Sequence, residues 1–367
     1  MSKNFDFEQL VDLSNWTDFD TFMQDFGERL DRDIKKSIDT RRKLRKTLLS
    51  NPKIRKAIRP RKEDVKKWES LLEWAGDELF GGNVCGVDGT LSHYPMASGT
   101  RCRIGIVATS YRNNRIERVL YVSERELAEP SKTPMEHYNK LLEGHRVTNM
   151  LVRAIMLYGE RQLALQRPEK WKFVHGQLLP YELRTGLGAY RALDVSLEMG
   201  KKLIKEKTVI GIIEDTTRLD LLNAGIILER GEYMPATDLK RELEIYLYGD
   251  DEKGISGAHF NPKDRAKFEK FIDKYAANIK VGIFRIGYKP YLFHAHKDVF
   301  DEAAALIARD SMNQPMRGFP LLVDYADEIC SKVLSSGDFQ KQITSRIAKI
   351  SPDALGFEMI ARSTRRR

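Results

Sequence analysis

The stretch Val84-Cys85-Gly86-Val87-Asp88-Gly89-Thr90 decides the fold class. Its short apolar run ends in an acid and a turn glycine, which is typical of a buried strand that leaves the interior at Asp88. Residues 103–111 and 116–123 are rich in β-forming side chains and flank an Arg-Asn-Asn-Arg turn, so they predict a hairpin. The region after Gly82 is therefore expected to begin with three strands.

Helical and strand patterns alternate after this hairpin. Helical periodicity covers 134–166 and 189–207, and strand-like runs cover 171–179 and 208–214. A weaker pattern suggests helices at 219–222, 238–248 and 262–277, then a hairpin at 280–286 and 291–295, and closing helices at 301–308 and 321–334. This order predicts an α/β protein with an RNase H-like mixed sheet flanked by helices, a helical N-terminal region and a C-terminal α+β extension.

Positive charge is concentrated near the N-terminus. The segment from Arg29 to Lys67 contains 17 Lys/Arg and five Asp/Glu, in a chain whose net charge is +9. Such a stretch is the electrostatic footprint of a nucleic-acid partner. Its densest part is expected to contact phosphates and consists of Arg41, Arg42, Lys43, Arg45 and Lys46. A solvated helix face, a protein partner or packing between two subunits are the alternatives.

Composition excludes several classes of protein. No run of 18 apolar residues exists, and the start lacks an apolar signal-peptide core, so no membrane span and a cytoplasmic location are expected. The three cysteines are far apart, which excludes a disulfide framework and a zinc finger. A phosphate loop is absent, so ATP hydrolysis is not expected. His294 and His296 alternate on a strand, and a structural role is expected for both.

Five segments, in order, resemble the NurA family of nucleases over roughly 84–330. The first is Gly86–Thr90, which resembles the family's D-G-S element; a helix glutamate follows, best matched by Glu160. Residues 173–181 resemble the second strand, which ends D-G-x-L, and 209–215 the next strand. Residues 318–327 resemble the late G-Y-P-x-x-L-x-x-A-H segment. The resemblance implies a basic helical region at 1–80, a nuclease domain at 81–335 and a basic tail at 336–367.

The chain departs from the family at three positions. His175 stands where the family has its second aspartate, Phe319 replaces the tyrosine, and Asp327 replaces the late histidine. The resemblance implies catalysis by Asp88, Glu160, His175, Asp327 and Phe319. It also implies Mn²⁺ (or Mg²⁺), as two ions, held by Asp88, Glu160 and His175, with Asp215 or Asp327 completing the shell.

The resemblance also implies partners and a pathway. NurA-like proteins are homodimers that dock on a hexameric HerA-type ATPase translocase and act on DNA, in end resection during repair or in anti-phage defence. Two alternatives stay open. One is a catalytically degraded NurA-like scaffold that binds DNA or the translocase, and the other is an RNase H-like protein directed at RNA.

Overall fold

The computed structural model describes residues 11–16, 18–94, 96, 100–112, 114–123, 133–185, 192–216, 218–250, 255–334 and 336–356. The chain divides into two compact units, 1–56 and 57–367. The smaller unit is built on one long helix, α1 (Phe19–Leu49). The Asp18 side chain caps it by accepting a hydrogen bond from the Thr21 N–H at 3.0 Å. Helix α2 (Pro52–Ala57) follows and begins at Pro52, because proline is tolerated in the first turn of a helix but not in its interior.

The larger unit contains helices on both sides of one sheet. The helices are α3 (Val65–Phe80), α4 (Pro134–Gln166), α5 (Tyr181–Arg184), α6 (Ala192–Glu206), α7 (Leu219–Gly225), α8 (Leu239–Tyr248), α9 (Pro262–Tyr275), α10 (Phe300–Ser311), α11 (Leu321–Val333) and α12 (Ser336–Ile350). Among the helices of the described ranges, none has the length and apolar character needed to cross a membrane. The basic end of the predicted tail, Arg365 to Arg367, lies outside the described residues.

Within the described residues, the main sheet has eight strands. They are β1 (Val84–Tyr94), β2 (Arg101–Ser110), β3 (Ile116–Ser123), β4 (Trp171–His175), β5 (Val209–Ile213), β6 (Glu232–Asp238), β9 (Ile279–Arg285) and β10 (Tyr291–His296); β7 (Gly249–Asp250) and β8 (Ile255–Ser256) form a separate pair. The order across the sheet is β3-β2-β1-β4-β5-β10-β9-β6. Strands β1, β2 and β3 are antiparallel, and β4 runs parallel to β1 and β5. The predicted RNase H-like mixed sheet is confirmed.

Strands β1, β4 and β6 differ from the prediction, and helix α12 lies in the part expected to be a basic tail. Strand β1 continues past Asp88 to Tyr94, because it pairs with β2 along its length up to Tyr94 and Arg101. Strand β4 ends at His175, not Leu179. Strand β6 was not predicted; Pro235 interrupts its pattern, and its pairing with β9 shifts register at that point. A proline is tolerated there because β6 is an edge strand.

Helix α11 lies against β1 at Gly86. A Cβ atom built on Gly86 would lie 2.4 Å from the backbone oxygen of Leu322, which is far inside van der Waals contact. Leu322 itself is fully buried in the core on this face of the sheet, together with Trp68 of α3 and Ala304 of α10. The glycine therefore sets how close α11 comes to the central strand.

Gly86→Ala is expected to lower the free energy of unfolding by about 1–3 kcal/mol, because the new methyl group forces α11 away from β1. Urea denaturation followed by circular dichroism measures this. Gly159→Ala is the control, since its Cβ would make only an ordinary contact, 3.4 Å from Ile106. Alanine also favours a helix interior over glycine. Equal stability of the two variants would contradict the packing constraint.

Candidate active site

Asp88 lies in the middle of β1, next to Gly89 and two residues after Gly86, and is 4% exposed. A Cβ atom on Gly89 would lie 2.5 Å from Glu160 Oε1 and 2.9 Å from Met156 Cγ, both on α4. Gly86 admits α11 on the opposite face. The two glycines of the G-x-D-G motif thus allow a helix to approach Asp88 from each side of the sheet. Asp88 Oδ1 also accepts a hydrogen bond from the Gly89 N–H at 2.8 Å.

His175 lies at the end of β4, between two carboxylates. Its Nδ1 is 3.1 Å from Asp88 Oδ1, and its Nε2 is 3.9 Å from Glu214 Oε2. Burial lowers the pKa of His175. The hydrogen bond and charge of Asp88, with the charges of Glu160 and Glu214, outweigh burial and raise this pKa to about 9. At neutral pH the residue is therefore an imidazolium.

Glu160 and Arg161 form a buried pair on α4, with side chains 2% and 0% exposed. Arg161 Nη1 donates to Glu160 Oε2, and Nη2 donates to the backbone oxygens of His175 at 3.1 Å and Gln177 at 2.6 Å. Burial raises the pKa of Glu160, against the lowering by Arg161, and the charge of Asp88 raises it further. Arg161 fixes both the Glu160 carboxylate and the chain that leaves β4.

Helix α11 and the loop before it supply the other side of the site. Burial raises the pKa of Asp327, and the charge of Asp88 and a hydrogen bond to it add to the rise. Arg317 Nη2 lies 2.6 Å from Glu214 Oε1 and 3.2 Å from Asp324 Oδ1. Positive and negative side chains therefore alternate along the site, in the order Asp88, His175, Glu214, Arg317 and Asp324.

The structure brings five of the predicted site residues together: Asp88, Glu160, His175, Asp327 and Phe319. The Phe319 ring is fully buried, and its centroid is 6.0 Å from that of His175. Asp215 is not brought in. Its side chain is 93% exposed and lies 3.8 Å from Lys289 Nζ.

The sequence interpretation missed Glu214, Arg161 and Arg317. The position of Glu214 follows from the register between β4 and β5. His175 pairs with Ile212 on the neighbouring parallel strand, so the residue two positions after Ile212 lies on the same face as His175. That residue is Glu214, which directly follows the end of β5.

The five predicted nucleic-acid residues lie on the C-terminal half of α1, in the smaller unit. Arg42, Lys43 and Lys46 are exposed, and Arg41 and Arg45 are half-buried. His294 and His296 are buried, with 0% and 5% exposure. Nε2 of His294 is 3.4 Å from Glu242 Oε2.

The chemistry of the donors suits a divalent cation. Carboxylate oxygens are the ligands that Mn²⁺ and Mg²⁺ prefer, and the pKa values of Glu160 and Asp327 are raised in part by the charge of Asp88. Within the described ranges, no group of three or more His, Cys, Asp or Glu is arranged to hold a metal ion. His175 contacts Oδ1 of Asp88, and Arg161 contacts Oε2 of Glu160, so each pair occupies one of the two oxygens of its carboxylate.

No protein-family model matches the sequence, and no curated protein matches it. Solved structures do match. The NurA nuclease from Sulfolobus solfataricus is 12% identical, with 78% of this chain and 95% of that chain covered and a TM-score of 0.45. NurA with manganese is 10% identical, with 72% and 94% covered and a TM-score of 0.38. Endonuclease_V from Bacillus subtilis is 12% identical, with 77% and 95% covered and a TM-score of 0.33.

The first two of these structures are NurA proteins, the family that the sequence motifs resemble. At such identities the likeness concerns the fold alone.

The titration of His175 tests the charge arrangement without any activity. Its pKa is expected to be about 9 in the unaltered protein and to fall towards 6.5 in Asp88→Asn. The substitution removes the carboxylate charge that stabilises the protonated imidazole most. The ring proton shifts in nuclear magnetic resonance spectra measure this. The ion pair of His175 with Asp88 contributes fully to the free energy of unfolding below about pH 6.5. This contribution disappears as the pH rises through about 9, where the imidazole loses its proton. Asp215→Asn is the control, and an unchanged midpoint in Asp88→Asn would contradict the pairing.

Proposed function

We propose that this protein is a metal-dependent nuclease that hydrolyses phosphodiester bonds in DNA. The observation that supports this best is the convergence of acids on Asp88. Glu160 reaches it from α4 past Gly89, and Asp327 from α11. Glu214 lies on the far side of His175. Several carboxylates crowded at one point favour a divalent cation, because a cation relieves their mutual repulsion.

Asp88, Glu160 and Asp327 would hold the metal, with Glu214 as a further ligand. A divalent ion supplies a Lewis acid and lowers the pKa of water bound to it. Manganese is the first ion to test, since one of the NurA structures contains it, and two ions are proposed on the resemblance. His175 orients Asp88 and carries a proton beside it. The half-exposed guanidinium of Arg317 stacks on Phe319, with Cζ 5.3 Å from the ring, and is available to bind a substrate phosphate.

The substrate and partners are proposed from charge and from the family resemblance. The basic residues of α1 favour a polyanion such as DNA. A HerA-type hexameric translocase would deliver duplex DNA, in repair or in anti-phage defence, with the nuclease acting as a homodimer in the cytoplasm. In this proposal Glu214, and not Asp215, is the metal ligand that follows β5.

A non-catalytic DNA-binding scaffold is the second candidate. The observation in its favour is that Asp88 and Glu160 are already paired with His175 and Arg161, where the family pattern has an acid at position 175. Incubation with Mn²⁺ or Mg²⁺ and linear duplex, single-stranded DNA or RNA separates the candidates. DNA binding without cleavage supports the scaffold, and cleavage of RNA alone supports the RNA-directed alternative.

Asp88→Asn and Asp327→Asn are each expected to lower Mn²⁺-dependent DNA cleavage at least about a hundredfold, because each removes a charge that stabilises the reacting centre. Glu328→Gln is the matched control. Glu328 is the next residue on α11, 55% exposed and paired with Lys332. Cleavage rates with the thermal melting of each variant measure the effect. Full activity in Asp88→Asn would rule out the metal-site assignment.

Substitution of Glu214 and Asp215, one at a time, decides which of these two acids after β5 binds the metal ion. Glu214→Gln is expected to lower the affinity for Mn²⁺, measured by calorimetry, because Glu214 faces His175. Asp215→Asn is expected to leave the affinity unchanged, since its side chain is in solvent. The reverse result would return the ligand role to Asp215.

Reversal of the five charges at Arg41, Arg42, Lys43, Arg45 and Lys46 to glutamate is expected to weaken DNA binding on every sequence alike. It should also flatten the dependence of log affinity on log salt by roughly 0.9 for each phosphate that is no longer neutralised. Fluorescence anisotropy at several salt concentrations measures the slope. Reversal of exposed Lys332 and Lys341 is the control. An unchanged slope, together with dissociation of a protein complex on a sizing column, would assign the segment to a protein partner.

A further inference from the structure

The turn between β9 and β10 carries an exposed aromatic side chain beside the candidate active site. This side chain is Tyr288, which is 59% exposed. Leu292, the second residue of β10, pairs with Ile213 at the end of β5. Glu214 follows β5 directly, so the turn lies at the same edge of the sheet as Glu214 and His175.

The backbone around Tyr288 is fastened to the loop that precedes α11. The Tyr288 N–H donates to the Met316 carbonyl oxygen at 3.3 Å, and the Tyr288 hydroxyl donates to Met316 Sδ at 3.2 Å. Arg285 Nη2 donates to the Tyr288 carbonyl oxygen at 3.2 Å. A Cβ atom on Gly318 would lie 2.0 Å from the backbone nitrogen of Gly287, so the two segments are in direct contact. The ring is therefore exposed but held in place, which lowers the entropic cost of binding a ligand to it.

Three cations surround this ring. The Arg230 guanidinium lies over it, with Cζ 4.8 Å from the ring centroid. Lys289 is the next residue in the turn, Arg317 follows Met316 on the neighbouring loop, and both are exposed. An exposed aromatic ring among cations is typical of surfaces that bind single-stranded nucleic acids. A base stacks on the ring, and the cations attract the phosphates on either side of that base.

Arg317 connects the ring to the candidate active site. Its Nη2 lies 2.6 Å from Glu214 Oε1, and its guanidinium stacks on Phe319. Met316, which touches Tyr288, is the residue before Arg317. Contacts therefore run without a gap from the exposed ring to Glu214. The bases of duplex DNA are stacked on one another, so only an unpaired nucleotide can place its base on this ring.

We propose that Tyr288 is a stacking platform for an unpaired nucleobase of the DNA strand that enters the candidate active site. The proposal rests on the nuclease function proposed above and names the form of its substrate, which is a single-stranded segment. Arg317 and Lys289 bind the phosphates next to the stacked base. Because every base has a flat face that can stack, no preference for one DNA sequence is expected.

Equilibrium binding in the absence of divalent cations tests the platform independently of cleavage. Fluorescence anisotropy compares two labelled probes, a single-stranded oligothymidylate and an oligonucleotide of the same length that is abasic throughout. Tyr288→Ala is expected to weaken binding of oligothymidylate about tenfold and to leave binding of the abasic strand unchanged, because only the first offers bases to stack. Tyr288→Phe should bind both probes as the unaltered protein does, since it keeps the ring. Thermal melting checks that both variants fold.

Tyr248→Ala is the matched control and should bind both probes as the unaltered protein does. Tyr248 is similarly exposed, at 54%, and Arg265 Cζ lies 5.1 Å from its ring. It belongs, however, to the surface formed by α8 and α9, where its hydroxyl donates to Glu269 at 3.1 Å.

Photocross-linking locates the base in the unaltered protein and does not depend on the folding of any variant. Irradiation of the complex with an oligonucleotide that contains 5-iodouracil is expected to join this base to Tyr288, as identified by mass spectrometry of the peptides. A cross-link confined to other peptides overturns the proposal. So does full affinity of Tyr288→Ala for oligothymidylate, or an equal loss of affinity for the abasic strand. Stacking at Tyr288 without any cleavage would support the platform and contradict the nuclease function, and cleavage without stacking would do the reverse.

Discussion

The close approach of two helices to one strand is the constraint on which the site depends. Strand β1 has no side chain at Gly86 or Gly89, so α11 and α4 reach it from opposite faces beside Asp88. Any Cβ atom at these positions would overlap the Leu322 backbone or the Glu160 carboxylate. The acids on the two helices can converge because β1 has no side chain at Gly86 and Gly89 to hold the helices apart. The glycines of this motif were expected to form a turn. In the structure they lie within the continuous strand β1 and allow the two helices to pack closely against it.

Crowded carboxylates need compensation, and the chain provides it with its own cations. Arg161 is fully buried beside Glu160, and His175 lies between Asp88 and Glu214. Arg317 then joins Glu214 to Asp324. Burial of an unpaired carboxylate is costly, so these cations make the folded site stable. The same cations compete with a metal ion for the negative charge of these carboxylates.

Much of the fold and of the candidate site was predictable from the sequence, and the features that were not predicted have physical causes. The element order follows from motifs and periodicity. The resemblance to the NurA family implied that Asp88, Glu160, His175 and Asp327 share one site. The choice between Glu214 and Asp215 depends on strand register, which a single strand does not specify. The length of β1 depends on its pairing with β2, and β6 is held as an edge strand despite Pro235. Arg161 has no local signal for its role, since besides its neighbour Glu160 it binds the backbone oxygens of His175 and Gln177, which are distant in sequence.

Charge in this protein is organised at two scales. In the larger unit, single charges alternate over the few ångströms between Asp88 and Asp324, so neighbouring groups cancel. In the smaller unit, α1 separates an acidic half from a basic half over 31 residues. Charges alternating at contact distance stabilise one local geometry. The acidic and basic halves of α1 are too far apart to neutralise each other. Their charges therefore influence which molecules the helix binds. The basic half of α1 suits a polyanion.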